Sequence, residues 1–215
     1  MTRIDFYLDF ISPYAWLAFA RLPDALEGLN VSVHHRPVLL GAMLKHHGNL
    51  APAETPAKRD WTYRHVMWLG QHLGVPLRMP ASHPFNPLPL LRLATAVGLN
   101  GEPNRWQCEQ IFRHVWEEGS DANDPQRLVA LTKALATEGD APPDATSDAV
   151  KAQLKAHTDA AIAAGAFGVP AFVADGQLFW GLDSLPMLRA WLQRDAFLRS
   201  EAARPAVVSS LVRQS

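Results

Sequence analysis

Tyr7-Leu8-Asp9-Phe10-Ile11-Ser12-Pro13-Tyr14-Ala15-Trp16 is the stretch whose reading decides the fold. The alternating run Ile4-Asp5-Phe6-Tyr7-Leu8-Asp9 reads as a short strand, and an apolar helix starts at once after Ser12. Serine is a favoured helix N-cap, because its hydroxyl accepts a bond from a free amide of the first turn. Proline suits the first helical position, where its missing N–H costs nothing. Ser12-Pro13 therefore reads as a helix start at the C-terminal end of a strand. The amides of Tyr14 and Ala15 are then expected to be unpaired donors beside a hydroxyl, which suits an anion or a thiolate. On this stretch alone a purely structural cap is the readier reading of Ser12.

Working outward, the helix is expected from Pro13 to Glu27, ending at Gly28. The next strand is Val31-Ser32-Val33-His34-His35-Arg36, stopped by Pro37. Strand, helix and strand in that space imply a right-handed parallel crossover. Ligands of such sheets sit beyond the carboxyl ends of the strands, so Arg36 is either a site cation or a plain strand-end charge. Gly41 to Pro56 reads as loop, and its His46-His47 pair as solvated, since no acidic or cysteine partner stands at ligand spacing. Helical faces follow: Trp61, Trp68 and Leu69, with a stop at Gly74-Val75-Pro76; then Leu88, Leu91 and Thr95 after a proline-rich stretch. Cys108, Ile111, Phe112 and Val115 mark the next, then Leu128, Leu131 and Leu135, then Val150, Leu154 and Ala161. Gly139 to Pro143 reads as a connecting loop. After Gly168, Ala171 to Ala174 and Gln177 to Trp180 flank Asp175-Gly176, a pair that type I′ hairpin turns prefer. Gly181 to Pro186 then starts a last helix running to Gln193, with Asp183 and Ser184 as candidate caps. Ala196 to Ser215 reads as a packed extension or a frayed tail.

The chain has 215 residues, 48% of them hydrophobic and 19% charged, with a formal net charge of −1. That balance fits a globular protein and gives no electrostatic footprint for nucleic acid or an acidic membrane. Cys108 is the only cysteine, which excludes an internal disulfide, a CxxC redox pair and a cysteine-rich metal site. It falls within a core pattern, so a buried inert thiol is expected. No long apolar run appears, the N-terminus reads as a strand rather than a leader, and Arg213-Gln214-Ser215 is not a peroxisomal address. A cytoplasmic enzyme is expected.

The element order is βαβ, a helical block, then ββα. That is the order of an α/β thioredoxin-like fold with an inserted all-helical domain: residues 1–55 and 168–215 form a discontinuous thioredoxin-like domain, and 56–167 the insert. Gly168-Val169-Pro170 stands where that fold carries its cis-proline, and Ser12-Pro13-Tyr14-Ala15 where it carries CxxC. The chain resembles the DsbA-like, kappa-class glutathione transferase family. The matching pieces are Asp9 to Tyr14, Arg36 to Gly41, Gly165 to Val173 and Leu178 to Asp183, spread in order over nearly the whole chain. One departure is that many relatives have Arg after Asp183, where this chain has Ser184.

The resemblance implies glutathione as cofactor and a homodimer. It implies that Ser12 holds the cofactor thiolate, and that the Val169 main chain beside Pro170 pairs with the peptide. Ser184 with the helix amides would take the γ-glutamyl carboxylate, Asp183 the ammonium, Lys58 the glycine carboxylate, and Asn49 would bond the peptide. For Lys58 and Asn49 a solvated surface role is equally open. The activity implied is glutathione-dependent isomerisation of 2-hydroxychromene-2-carboxylate to trans-o-hydroxybenzylidenepyruvate, a step of naphthalene breakdown. A flat aromatic substrate needs apolar walls and a cation. Tyr14, Phe85 and Trp180 are candidate walls and Arg36 a candidate cation, although aromatic residues are as often plain core. Two rivals stand beside this reading: a kappa-like transferase or peroxidase acting on another electrophile, and a non-enzymatic binding module in which Ser12 only caps a helix.

Overall fold

A computed structural model of the chain describes residues 1–136 and 143–203. Most of the Gly139 to Pro143 loop, and the tail after residue 203, lie outside it. Strand β1 (Thr2–Leu8) leads into helix α1 (Pro13–Leu26) and strand β2 (Val31–Pro37). Six helices follow: α2 (Leu40–His46), α3 (Pro56–Leu73), α4 (Leu88–Val97), α5 (Arg105–Trp116), α6 (Pro125–Leu135) and α7 (Asp148–Ala163). The chain closes with β3 (Ala171–Ala174), β4 (Gln177–Trp180) and α8 (Leu185–Leu192).

The sheet order is β2-β1-β3-β4. β1 and β2 are parallel, and β3 and β4 join antiparallel. The expected βαβ and ββα halves are thus joined through β1 and β3, as in a thioredoxin-like fold. Asp175 and Gly176 both have positive φ, 49° and 76°, as a type I′ turn requires. Alternation along β1 separates two cores. Ile4, Phe6 and Leu8 face a large cluster that includes Phe112, Ile111 and Leu131 of the helical block, while Tyr7 faces a smaller one with Met43 and Ala161. The helical block therefore shares its main core with one face of the sheet.

The anticipated helical faces of α4 to α7 are largely buried, and Cys108, Ile111, Phe112 and Val115 are wholly so. Gly74 ends α3 in the left-handed conformation. Pro23 lies inside α1 and has no N–H to give the Phe19 carbonyl; Arg105 of α5 donates to that oxygen at 3.2 Å, with its guanidinium 4.2 Å above the Phe19 ring. After α8, Arg199 lies over the Trp191 ring at 4.4 Å, so the start of the last segment packs back.

Three local expectations need correction. Residues 40–46 are helical, not loop, because the Asp9 carboxylate accepts the Leu40 N–H at 2.9 Å and supplies a cap from outside the segment. Trp61 and Trp68 are 61% and 54% exposed, so their seven-residue spacing marks an outer face of α3 and not its core face, which is Val66 and Gly70. Neither Asp183 nor Ser184 caps α8 with its side chain; Leu182–Ser184 form a short 3-10 turn, and the Ser184 hydroxyl donates to the Gly181 carbonyl at 2.8 Å.

Candidate active site

Ser12 caps α1 in extended conformation, with φ −91° and ψ 116°. Its Oγ accepts the Ala15 N–H at 3.2 Å, and the same N–H reaches the Ser12 carbonyl at 3.1 Å. Ala15 is therefore not the free donor that the sequence suggested. The Tyr14 N–H has no partner among the described residues, and the Ser12 hydroxyl hydrogen is likewise unspent. One amide and one hydroxyl thus remain for a negative charge at the helix N-terminus.

The turn ahead of Ser12 is held from all sides. The buried Asp9 carboxylate accepts the N–H groups of Ile11 (3.1 Å) and Leu40 (2.9 Å), and the Asp9 carbonyl accepts that of Ser12 at 3.1 Å. Burial pushes the Asp9 carboxyl up to about 7, against the pull of those two amides. From the helical block, Trp116 Nε1 donates to the Phe10 carbonyl at 2.9 Å. His83 Nε2 lies 2.8 Å from the Ile11 carbonyl. A carbonyl only accepts, so Nε2 carries the hydrogen; the Tyr63 hydroxyl lies 2.7 Å from the acceptor Nδ1 and 2.9 Å from the His83 carbonyl, and its one hydrogen is shared between them. Burial lowers the His83 pKa, which keeps this ring neutral.

Opposite stands the Val169–Pro170 segment, whose peptide bond is cis, as anticipated. The Pro170 carbonyl accepts the Gly181 N–H at 2.9 Å. The N–H and carbonyl of Val169 have no partner among the described residues. A Cβ on Gly168 would stand 2.9 Å from Trp180 Nε1, and one on Gly181, whose φ is +95°, would collide with the Asp183 carboxylate. Glycines at these two places let Trp180 and Asp183 close over the segment.

A cleft of about 1410 Å³ joins these parts. Ser12 and Tyr14 at the start of α1, Val169, Pro170, Trp180 and Asp183 of the sheet half, Asn49 ahead of α3 and Lys58 in its first turn all line it. A second cavity, of about 470 Å³, lies along α1, β2 and the Glu102–Arg105 segment and touches none of these residues.

A family model described as DSBA-like thioredoxin domain matches residues 3–193. The chain belongs to the DSBA-like thioredoxin domain family. Among the relatives of this DSBA-like chain, human glutathione S-transferase kappa 1 is 30% identical over 200 residues, covering 86% of this chain and 88% of the relative. The 2-hydroxychromene-2-carboxylate isomerase of Sphingobium xenophagum is 27% identical over 197 residues, covering 89% and 99%. A solved structure of 2-hydroxychromene-2-carboxylate isomerase superposes with a TM-score of 0.74 at 23% identity, covering 91% of this chain and 96% of that one, which shows a shared fold.

Disulfide exchange within this DSBA-like chain is ruled out by its composition. Cys108 is its one cysteine and is buried, and burial pushes its thiol pKa far up. Three anticipated site residues do not line the cleft. Arg36 pairs with Asp5 at 2.9 Å and Glu102 at 3.0 Å, so its charge is already answered beside the sheet edge. Phe85 is buried, 6.1 Å from the His83 ring, and serves as core. Ser184 is turned to the Gly181 carbonyl. The cleft's own cations are Arg21, Lys58 and Arg189. Arg21 pairs with Asp24 at 2.8 Å, and Arg189 donates to the carbonyls of Ala25 and Glu27. Lys58 makes no ion pair among the described residues. His65, His83 and Arg189 were not singled out from sequence; the available signal is the four-residue spacing of Trp61 and His65, which puts both on one face of α3.

Proposed function

We propose that this protein is a glutathione-dependent isomerase that interconverts 2-hydroxychromene-2-carboxylate and trans-o-hydroxybenzylidenepyruvate. Its relatives support the broader class, a glutathione-related isomerase or transferase of the DsbA family. The observation that carries the reading is one cleft lined both by the capped Ser12 turn, with its unspent donors, and by the unpartnered main chain of Val169.

The residues present fit a γ-glutamyl tripeptide. The free N–H and carbonyl of Val169 can pair with an extended peptide by strand addition. Lys58, which makes no ion pair among the described residues, suits a terminal carboxylate, Asn49 offers an amide to the peptide, and Asp183 suits an ammonium. Glutathione, when bound, supplies a thiolate able to add reversibly to a conjugated enone, so that the former double bond can rotate. The Ser12 hydroxyl and the Tyr14 amide stabilise negative charge at the start of α1. The free thiol pKa is about 8.5, and a charge-assisted donor at that point raises the thiolate fraction at neutral pH. Tyr14 and Trp180 supply flat walls for an aromatic substrate.

A second reading, a kappa-class transferase or peroxidase acting on another electrophile, rests on the kappa transferases of human and rat, at 30% and 26% identity, which bracket the 27–28% of the isomerases. An ultraviolet assay of chromene-carboxylate conversion with and without glutathione separates the two. Conversion that requires glutathione is expected. Conjugation of chlorodinitrobenzene without any chromene conversion would select the transferase, and no glutathione binding by calorimetry would remove both.

A further inference from the structure

The Tyr14 hydroxyl lies 2.8 Å from His65 Nδ1, and both side chains line the cleft that Ser12 lines. Tyr14 follows Ser12 by two residues in the first turn of α1. His65 is fixed by near-parallel stacking between Trp61, with centroids 5.7 Å apart at 15°, and Trp68, at 6.2 Å and 12°; Trp68 stacks in turn on His72 at 4.8 Å. The exposed indoles of α3 thus hold an imidazole in one orientation against the tyrosine. A wall for an aromatic substrate needs no such partner.

We propose that Tyr14 and His65 form a proton relay that opens the hemiketal ring of the substrate. The inference rests on the isomerase reading. Ring opening must break the bond between the hemiketal carbon and the ring oxygen, form a carbonyl, and move one proton from the hemiketal hydroxyl to the ring oxygen. Those two oxygens share a carbon, so one group can serve both in turn. The Tyr14 oxygen takes the hydroxyl proton while its own proton passes to His65 Nδ1. The O–H electron pair becomes the second bond of the carbonyl, and the ring C–O pair leaves on the ring oxygen. The imidazolium then returns its proton to Tyr14, and the Tyr14 hydroxyl protonates the aryloxide. Nothing is consumed, and the pair ends as it began. Burial and the charge of Asp183 raise the Tyr14 pKa, so the phenol keeps its proton between turnovers.

The test compares two substrates across wild type, Tyr14→Phe and His65→Gln. One is the closed chromene carboxylate. The other is the ring-opened cis enone with its phenol oxygen methylated, which needs rotation but no ring opening. Positioned acid–base groups are worth about 10²–10⁴-fold, so Tyr14→Phe should lower the chromene rate relative to the methylated enone by about 10²-fold or more. His65→Gln should shift that ratio in the same direction, and supplies the test should the first variant fold poorly. Glutathione binding by calorimetry should stay within about two-fold in both, which reports on the intact cleft apart from turnover. Equal slowing of both substrates, or no slowing, would overturn the relay and leave the isomerase reading intact. Wild type that turns over neither substrate while binding glutathione would remove the isomerase reading, and the relay with it.

Discussion

The two sides of the cleft differ in how firmly they are built. On the Ser12 side, Asp9, Trp116 and His83 bond main-chain groups of Phe10 and Ile11, and Trp116 and His83 come from elements far apart in sequence. On the other side Asn49 and Lys58 stand exposed, and their side chains make no bond among the described residues. The charge-bearing step is assigned to the preorganised side, where donors need no rearrangement, and recognition of the peptide ends to the adaptable one. The contrast can be broken by substitution, since the buried side should be costly to disturb and the exposed side cheap.

The largest effect is expected from Trp116→Ala. It removes a fully buried ring and the donor to Phe10, and should lower stability by about 3–5 kcal/mol, read by chemical denaturation. Asp9→Asn comes next. The amide nitrogen of Asn cannot accept, so one of the Ile11 and Leu40 N–H groups loses its acceptor, and about 1–3 kcal/mol should be lost below about pH 4. The pH dependence gives this prediction a sign. The Asp9 carboxyl is raised from 3.8 to about 7 in the folded chain, so the folded state binds more protons over that range. Its contribution is full below about 4 and is lost as pH rises to about 7. The melting-temperature gap between wild type and Asp9→Asn should therefore narrow across that window. A gap that widens would mean that the carboxylate is stabilised by its two amides. The smallest effect is expected from Lys58→Ala, an exposed charge worth at most about 1 kcal/mol, or roughly five-fold in glutathione Kd by calorimetry. A loss of two orders of magnitude there would end the distinction between the sides.

What could be read from sequence was what neighbouring residues decide. Ser12-Pro13 announced the start of α1, Asp175-Gly176 the hairpin, Gly74 the end of α3, and the spacing Cys108, Ile111, Phe112, Val115 a buried helical face. What could not be read depends on partners distant in the chain. The cap of α2 comes from Asp9, 31 residues earlier. Arg36 is answered by Glu102, which no spacing rule connects to it. The Trp61 and Trp68 pattern mimicked a core face because His65 and His72 complete an exposed stack. His83 entered the site through a bond to Ile11 across 72 residues.

The central claim is that Ser12 holds a thiolate and does not merely cap α1. Titrating the thiolate absorbance of bound glutathione in wild type and Ser12→Ala tests it directly. A hydrogen bond to a charged group is worth roughly 1.5–3 kcal/mol, and one pKa unit corresponds to about 1.36 kcal/mol, so the bound thiol pKa should rise by about one to two units in the variant. Turnover at neutral pH should fall by about ten-fold or more, with glutathione affinity changing far less. A lower melting temperature with thiol pKa and turnover unchanged would contradict the account and leave Ser12 as a cap alone, worth about 1 kcal/mol.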